Sequence, residues 1–200
     1  MNEELKQFIE QNIQLIDEYN FKKLYNKAAG IFDDEEIPGL TEVFLESGID
    51  PLLYLDNVPE RYSSDLYIKE VTIPSNIKVI GTSAFANCYD LKEVVFKEGV
   101  DEIEPRAFSS CESLVRLYFP DSLSQLNAEA FQDCSNLKEV SIGKNINYMG
   151  FYVFARCPKL HIIDYRGTSA EWQKVAKKSI NWNILSNVVG IKCTDKVVKL

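Results

Sequence analysis

Residues 68–88 read IKEVTIPSNIKVIGTSAFANC, and the same arrangement returns three more times along the chain. Its closing Phe-x-x-Cys element places phenylalanines 23 positions apart, each followed by a cysteine three residues later. These residues are Phe85, Phe108, Phe131 and Phe154, followed by Cys88, Cys111, Cys134 and Cys157. A fixed period of this length predicts a stacked solenoid in which each turn contacts its neighbours.

Other apolar positions keep the same offset without insertion or deletion. Apolar columns start at Ile68, Val71, Ile73, Ile77 and Ile80 and continue through the later copies. The hexad Leu-x-x-Val-x-Phe recurs five times and has the spacing of a leucine-rich repeat. It predicts five parallel strands, about 4.8 Å apart, over residues 68–73, 91–96, 114–119, 137–142 and 160–165.

The unit resembles the BspA-like leucine-rich repeats of bacteria, in which Leu-x-x-Ile-x-Ile-Pro precedes Val-x-x-Ile-x-x-x-Ala-Phe-x-x-Cys. The resemblance covers residues 65 to about 165. The proline after the strand is kept at Pro74 and Pro120, and Lys97, Gly143 and Arg166 replace it elsewhere, which should alter the turn. The resemblance implies a binding or adhesion protein and supplies no catalytic residue.

The expected fold class is α+β, with a leucine-rich-repeat solenoid over residues 65–166. Helical spacing of apolar residues predicts an N-terminal helical domain over 1–64, with helices starting near Asn2, Asn20 and Pro38. This domain either covers the first repeat or is itself the recognition element, and the two roles are compatible.

A C-terminal cap is expected over residues 167–200. Ser169 should cap a helix that runs to about Lys178, with Trp172 and Val175 facing inward, and a hairpin should turn near Asp195. Phe151 and Tyr152 add bulk to the last repeat, which indicates a surface covered by this helix or by Trp182.

The four repeat cysteines are interpreted as buried thiols rather than disulfides or metal ligands. Parallel side chains keep their Cβ atoms about 4.8 Å apart, beyond the usual disulfide range. The sequence contains no Cys-x-x-Cys pair, and a metal requires ligands that converge on one point. We therefore expect no cofactor and no metal site.

The net charge of −8 is distributed unevenly. Residues 1–64 hold 14 acidic and 5 basic side chains, for a net charge of −9. An acidic chain lacks the electrostatic signature of nucleic-acid binding, so no nucleic-acid partner is expected. The sequence has neither a long apolar run nor a secretion signal, which predicts no membrane span and a location in a bacterial cytoplasm or on a phage particle made there.

The outward residues of the five hexads define what we call the strand face. At its centre lie apolar, aromatic and charged residues of the kinds that are enriched in binding hot spots. The candidate binding residues are Glu93, Val95, Val115, Arg116, Tyr118, Glu139 and Ser141.

Catalytic signals are sparse. His161 is the single histidine, and Ser141 and Asp164 are the triad partners nearest to it in the columns, without a nucleophile elbow. We therefore predict a non-enzymatic module that binds a protein partner through the strand face, the helical domain or both. The alternative is a structural or adhesion component of a phage or cell-surface assembly, and a weaker one is an acidic inhibitor. The oligomeric state is left open.

Overall fold

The computed structural model describes Gln7, Leu52, Asn57, Val58, residues 68–179 and residues 187–200. The helices predicted within residues 1–64 and the predicted position of Trp182 lie outside these residues. The domain boundaries therefore stay predictions. The described repeats form a parallel-strand solenoid of about four turns.

Twelve strands and one helix make up the described secondary structure. They are β1 (Asn57–Val58), β2 (Glu70–Ile73), β3 (Val79–Ile80), β4 (Glu93–Phe96), β5 (Glu102–Ile103), β6 (Arg116–Tyr118), β7 (Gln125–Leu126), β8 (Glu139–Ile142), β9 (Tyr148–Met149), β10 (Ile162–Tyr165), α1 (Ser169–Lys178), β11 (Gly190–Lys192) and β12 (Val197–Lys199).

The five predicted hexads form β2, β4, β6, β8 and β10, each starting two residues later than predicted. These strands build the strand face. Two separate sets of paired strands make up the strand face. One joins β2 to β4 in parallel, and the other joins β6, β8 and β10 in parallel and continues into β11 and β12.

A second parallel sheet, in the order β1-β3-β5-β7-β9, runs along another side of the solenoid. The sequence analysis found its inward column, which continues from Ile80 through Ile103, Leu126 and Met149, but did not predict strands there. Each of these strands is two residues long, so no alternating pattern marks it. Strand β1 joins this sheet by pairing with β3.

Phenylalanines from successive turns stack at the centre of the core. The rings of Phe85 and Phe108 lie 4.9 Å apart, and those of Phe108 and Phe131 lie 5.1 Å apart. Cysteines from the same turns form no disulfide and are fully buried, which confirms their predicted burial. The Sγ atom of Cys111 donates to the carbonyl of Phe85 at 3.2 Å, so the thiol ties one turn to the preceding one.

Two positions in every described turn adopt left-handed backbone conformations without glycine. They form two columns at the repeat spacing: Ser83, Arg106, Glu129 and Tyr152, then Asn87, Ser110, Asp133 and Arg156. Such a conformation costs a non-glycine residue about 1–2 kcal/mol. In the first three turns, the amide at each of these positions donates to a carbonyl of the next turn, as Arg106 does to Ala128 at 3.0 Å. These bonds offset the strain.

The N-cap of helix α1 lies one residue before the predicted one. Thr168 is the N-cap, and it forms a capping box with Glu171. Ser169, the predicted cap, instead donates its amide and hydroxyl to the carboxylate of Asp195, each at 2.7 Å. Trp172 and Val175 are buried as predicted.

The predicted hairpin forms from β11 and β12, and β11 also pairs in parallel with β10. Some burial expectations were wrong. Phe151 is 47% exposed rather than covered. Ile68, Val71 and Phe96 are only partly buried, although their columns were predicted to be internal.

Candidate binding surface on the strand face

Tyr118, Arg116 and Glu139 form a connected group at the centre of the strand face. The hydroxyl of Tyr118 donates to Oε2 of Glu139 at 3.1 Å, and Nε of Arg116 lies 3.2 Å from the same oxygen. Register explains this contact, because Arg116 pairs with Glu139 across β6 and β8. Glu139 therefore fixes the orientation of two exposed side chains of the kinds enriched in hot spots.

The hydrogen bond to the Glu139 carboxylate raises the pKa of Tyr118, with a smaller contribution from the carboxylate charge. A tyrosine phenol is protonated at neutral pH in any case, and the raised pKa keeps Tyr118 a donor at higher pH. Tyr118 nevertheless remains 57% exposed, so its ring is available to a partner.

A cleft of 330 Å³ opens beside this group, between β4 and β6. Five predicted binding residues line it: Glu93, Val95, Val115, Arg116 and Tyr118. Val95 and Val115 are half-buried and give the cleft an apolar part, while the other three are exposed. We call this feature the β4–β6 cleft.

Three further residues line the β4–β6 cleft and were not among the predicted binding residues: Lys92, Val94 and Phe96. Phe96 had been assigned to the core. One signal in the sequence could have indicated its exposure, because Phe96 and Phe119 are adjacent members of a column that carries isoleucine at Ile73 and Ile142.

Ser141, the remaining candidate, lies outside the β4–β6 cleft and belongs to a different contact. Its hydroxyl oxygen accepts from Nη1 of Arg166 at 3.1 Å. Nη2 of Arg166 donates to the carbonyl of Phe119 and to the carboxylate of Asp121, each at 2.7 Å. This arginine therefore spans the turns of three successive repeats where other repeats carry proline, lysine or glycine.

The three residues of the only conceivable triad are engaged separately. Ser141 accepts from Arg166, Asp164 lies 3.7 Å from Nζ of Lys192, and Nδ1 of His161 lies 3.4 Å from the carbonyl of Asn187. These contacts orient each side chain toward a different neighbour, so the arrangement does not support nucleophilic catalysis.

Within the described ranges, no group of three histidine, cysteine or acidic side chains is placed to hold a metal ion. The one helix in that part of the chain is also too short and too polar to cross a bilayer.

The repeat geometry agrees with a known family. A sequence profile described as "BspA type Leucine rich repeat region (6 copies)" matches residues 59–180, which is more than half of the chain. The chain belongs to the BspA-type leucine-rich repeat family. None of the curated proteins matches the chain significantly.

Solved structures of leucine-rich repeat proteins show a similar fold. The T. pallidum leucine rich repeat protein is 27% identical with a TM-score of 0.54, and the match covers 55% of this chain and 52% of that one. A leucine rich cell surface protein from Faecalibacterium prausnitzii is 25% identical with a TM-score of 0.53, over 60% of this chain and 32% of that one.

The pneumococcal vaccine antigen PcpA is 20% identical with a TM-score of 0.52, over 69% of this chain and 33% of that one, and it shows the fold alone. The chain therefore spans only about a third to a half of the length of these three structures.

Proposed function

We propose that this chain is a protein-binding module that acts without turnover chemistry and recognises its partner through the centre of the strand face. The observation that carries the proposal is the group formed by Tyr118, Arg116 and Glu139 beside the β4–β6 cleft. Membership of a repeat family whose solenoids present long surfaces supports it.

Pre-orientation is the physical reason for choosing this group. An aromatic side chain and an arginine normally lose rotamer freedom when a partner immobilises them, which costs about 0.5–1.5 kcal/mol for each side chain. Here the carboxylate of Glu139 already restrains both. More of the contact energy is then available for affinity, as expected for a hot spot.

The neighbouring apolar surface supplies the second component. Val95 and Val115 lie half-buried in the β4–β6 cleft, next to the exposed ring of Tyr118. An apolar centre surrounded by charged groups is the usual anatomy of a protein interface. We therefore expect a protein partner that covers Tyr118 and places apolar atoms against the two valines.

The test is partner capture from a bacterial lysate, compared between the wild-type chain and single variants. Tyr118→Ala and Arg116→Ala should each weaken binding about thirtyfold while leaving the melting temperature nearly unchanged. Tyr148→Ala is the matched control, because Tyr148 is also exposed but lies on β9 of the second sheet.

Retained capture by both variants would contradict this assignment. A variant that lacks the N-terminal residues then tests the alternative, which is recognition by the N-terminal region. The deletion should stop at residue 51, because Leu52 is buried in the core and β1 starts at Asn57 and pairs with β3. Loss of capture in this variant, with its melting transition intact, would assign recognition to the deleted segment.

Adhesion at a cell surface is a second candidate function, favoured by the similarity to the Faecalibacterium prausnitzii cell surface protein. It predicts that antibodies against the chain label intact cells of the source bacterium. Labelling only after lysis would contradict surface adhesion and would favour a binding partner inside the cell.

A further inference from the structure

The parallel hydrogen bonding of the strand face is interrupted at one place. Strand β2 pairs with β4, and β6 pairs with β8, but within the fully described residues 68–179 no pairing joins β4 to β6. The second sheet is continuous across the same two turns, where Glu102 pairs with Gln125 and Ile103 with Leu126. The hydrogen-bonded ladder is therefore continuous on one side of the solenoid and interrupted on the other, and we call this interruption the opening.

Two bulky rings coincide with this opening. In the column Ile73, Phe96, Phe119, Ile142 and Tyr165, every neighbouring pair other than Phe96 and Phe119 lies on or directly beside paired strands. Phe96 and Phe119 are also the only neighbouring members of this column that are both aromatic, with rings 5.4 Å apart and tilted by 40°. The crowding of these two rings is the steric difference that marks this boundary.

Pro120 removes one hydrogen bond at the same boundary. At the equivalent positions the amide of Lys97 donates to Ile73 and the amide of Arg166 donates to Ile142, each at 2.9 Å. Proline has no amide hydrogen, so Pro120 cannot donate to Phe96 in this way. The opening therefore coincides with a steric difference and with a missing amide donor.

The interruption leaves backbone groups directed at the β4–β6 cleft. In a parallel pair with this register, the amides of Val94 and Phe96 would donate to carbonyls of β6, and those of Arg116 and Tyr118 to carbonyls of β4. Without that pairing, the two strands present donors and acceptors to whatever enters between them. Unpaired strand edges of this kind bind extended polypeptide.

The charges around the β4–β6 cleft indicate which side chains a ligand should carry. Arg116 is already paired with Glu139. Lys92 and Glu93 line the same cleft, and neither has an ion-pair partner among the described residues. A ligand that carries both an acidic and a basic side chain would complement them.

We propose that the β4–β6 cleft binds an extended segment of the partner protein, which inserts one large apolar side chain into the apolar part of the cleft. The main chain of this segment bonds to free groups at the rim of the cleft, and its flanking charged side chains meet Lys92 and Glu93. The proposal rests on the proposed function, and it specifies which part of the strand face makes the contact and what chemistry the partner presents.

The experiment uses the full chain and a phage-displayed library of random linear peptides as the probe. Enriched peptides should share a large apolar residue flanked by charged residues of both signs. Val95→Glu places a carboxylate in the apolar part of the cleft and should weaken the binding of these peptides about thirtyfold. Ile162→Glu is the matched control, because Ile162 is also an apolar residue exposed on the strand face but lies on β10.

Amide hydrogen exchange followed by NMR gives the second readout. Peptide binding should slow exchange at Val94, Phe96, Arg116 and Tyr118. Peptides that protect Ser141 and Asp164 instead, and that are weakened by Ile162→Glu, would overturn the cleft proposal while supporting recognition by the strand face. A selection that yields no peptide sensitive to Val95→Glu would also overturn the cleft proposal, and the lysate capture with Tyr118→Ala would then judge the proposed function independently.

Discussion

Arg166 reaches Asp121 across two repeat boundaries, with Nη2 and Oδ1 separated by 2.7 Å although the two residues are 45 positions apart in the chain. The same guanidinium donates to the carbonyl of Phe119 and the hydroxyl of Ser141. A single side chain therefore links the turn that follows β6, the end of β8 and the turn that follows β10. The contact lies at the C-terminal ends of those strands, where it steadies β6 next to the interrupted pairing.

Arg166→Ala should destabilise the protein by about 1 kcal/mol, because a partly exposed charged hydrogen bond to a carbonyl contributes roughly that much. Arg166→Lys keeps the charge but loses the forked geometry, so it should recover less than half of the loss. Urea unfolding measures both variants. Full recovery by lysine would show that charge alone, and not the three-way hydrogen bonding, stabilises these turns.

Acid should weaken the protein partly through Asp121. Hydrogen bonding to Arg166 lowers the pKa of Asp121 in the folded state below the unfolded value of about 3.9. A lowered folded pKa contributes stability above the unfolded pKa, and this contribution is lost as the pH falls through the folded pKa. Melting temperatures measured below about pH 4 should fall more steeply for the wild-type chain than for Arg166→Ala. Parallel curves would contradict the assigned cause.

Phe108→Ala should destabilise the solenoid by about 3–5 kcal/mol. Phe108 is fully buried and stacks between Phe85 and Phe131, so its removal leaves a cavity in the continuous core. Phe151→Ala is the control, because Phe151 is 47% exposed, and it should cost less than about 1 kcal/mol. Equal losses for the two variants would show that the central column is not the main source of stability.

The repeat thiols should react slowly in the folded protein. Burial raises the pKa of both Cys111 and Cys134 well above the ordinary value, so the reactive thiolate is scarce at neutral pH. Titration with an aromatic disulfide should find these two thiols protected in buffer and reactive in denaturant. Rapid modification without loss of the folded signal would contradict their burial.

Phe96→Ile should close the opening on the strand face. The column would then place isoleucine beside Phe119, the combination found where β6 pairs with β8. We expect slower amide exchange at Phe96 and Arg116 and a smaller β4–β6 cleft. Unchanged exchange in this variant, but slower exchange in Pro120→Lys, would identify the missing amide as the dominant cause.

The sequence predicted the strand face well because its hexads alternate buried and exposed residues over several positions. It did not predict the second sheet, since strands such as Val79–Ile80 are too short to show a period. Most of the left-handed residues gave no warning either, because serine, arginine, glutamate and tyrosine carry no preference for that conformation, unlike Asn87 and Asp133. Inter-turn hydrogen bonds impose it, and they are visible only after the turns are stacked.

The candidate binding residues were chosen from column positions alone, and five of them line one cleft. Their columns were readable because the repeat has no insertion. The interrupted pairing was not readable in the same way, since it depends on the size of two neighbouring rings and on the missing amide of Pro120. Ser141 shows the limit of choosing residues from their columns, because its hydroxyl oxygen accepts a hydrogen bond from Arg166, 25 positions away.

The left-handed amides give the boundaries between turns a direction, since in the first three turns each donates toward the following turn and none of the bonds between those columns runs backward. The boundaries between these turns are chemically alike. Unequal recombination between repeats could therefore add or remove one 23-residue unit and leave each amide donor facing a carbonyl acceptor. The boundary between β4 and β6 is the exception on the strand face. Duplicating the segment that contains Phe96, Phe119 and Pro120 would therefore copy the opening together with the turn. The longer protein would then carry a second contact site of the same kind.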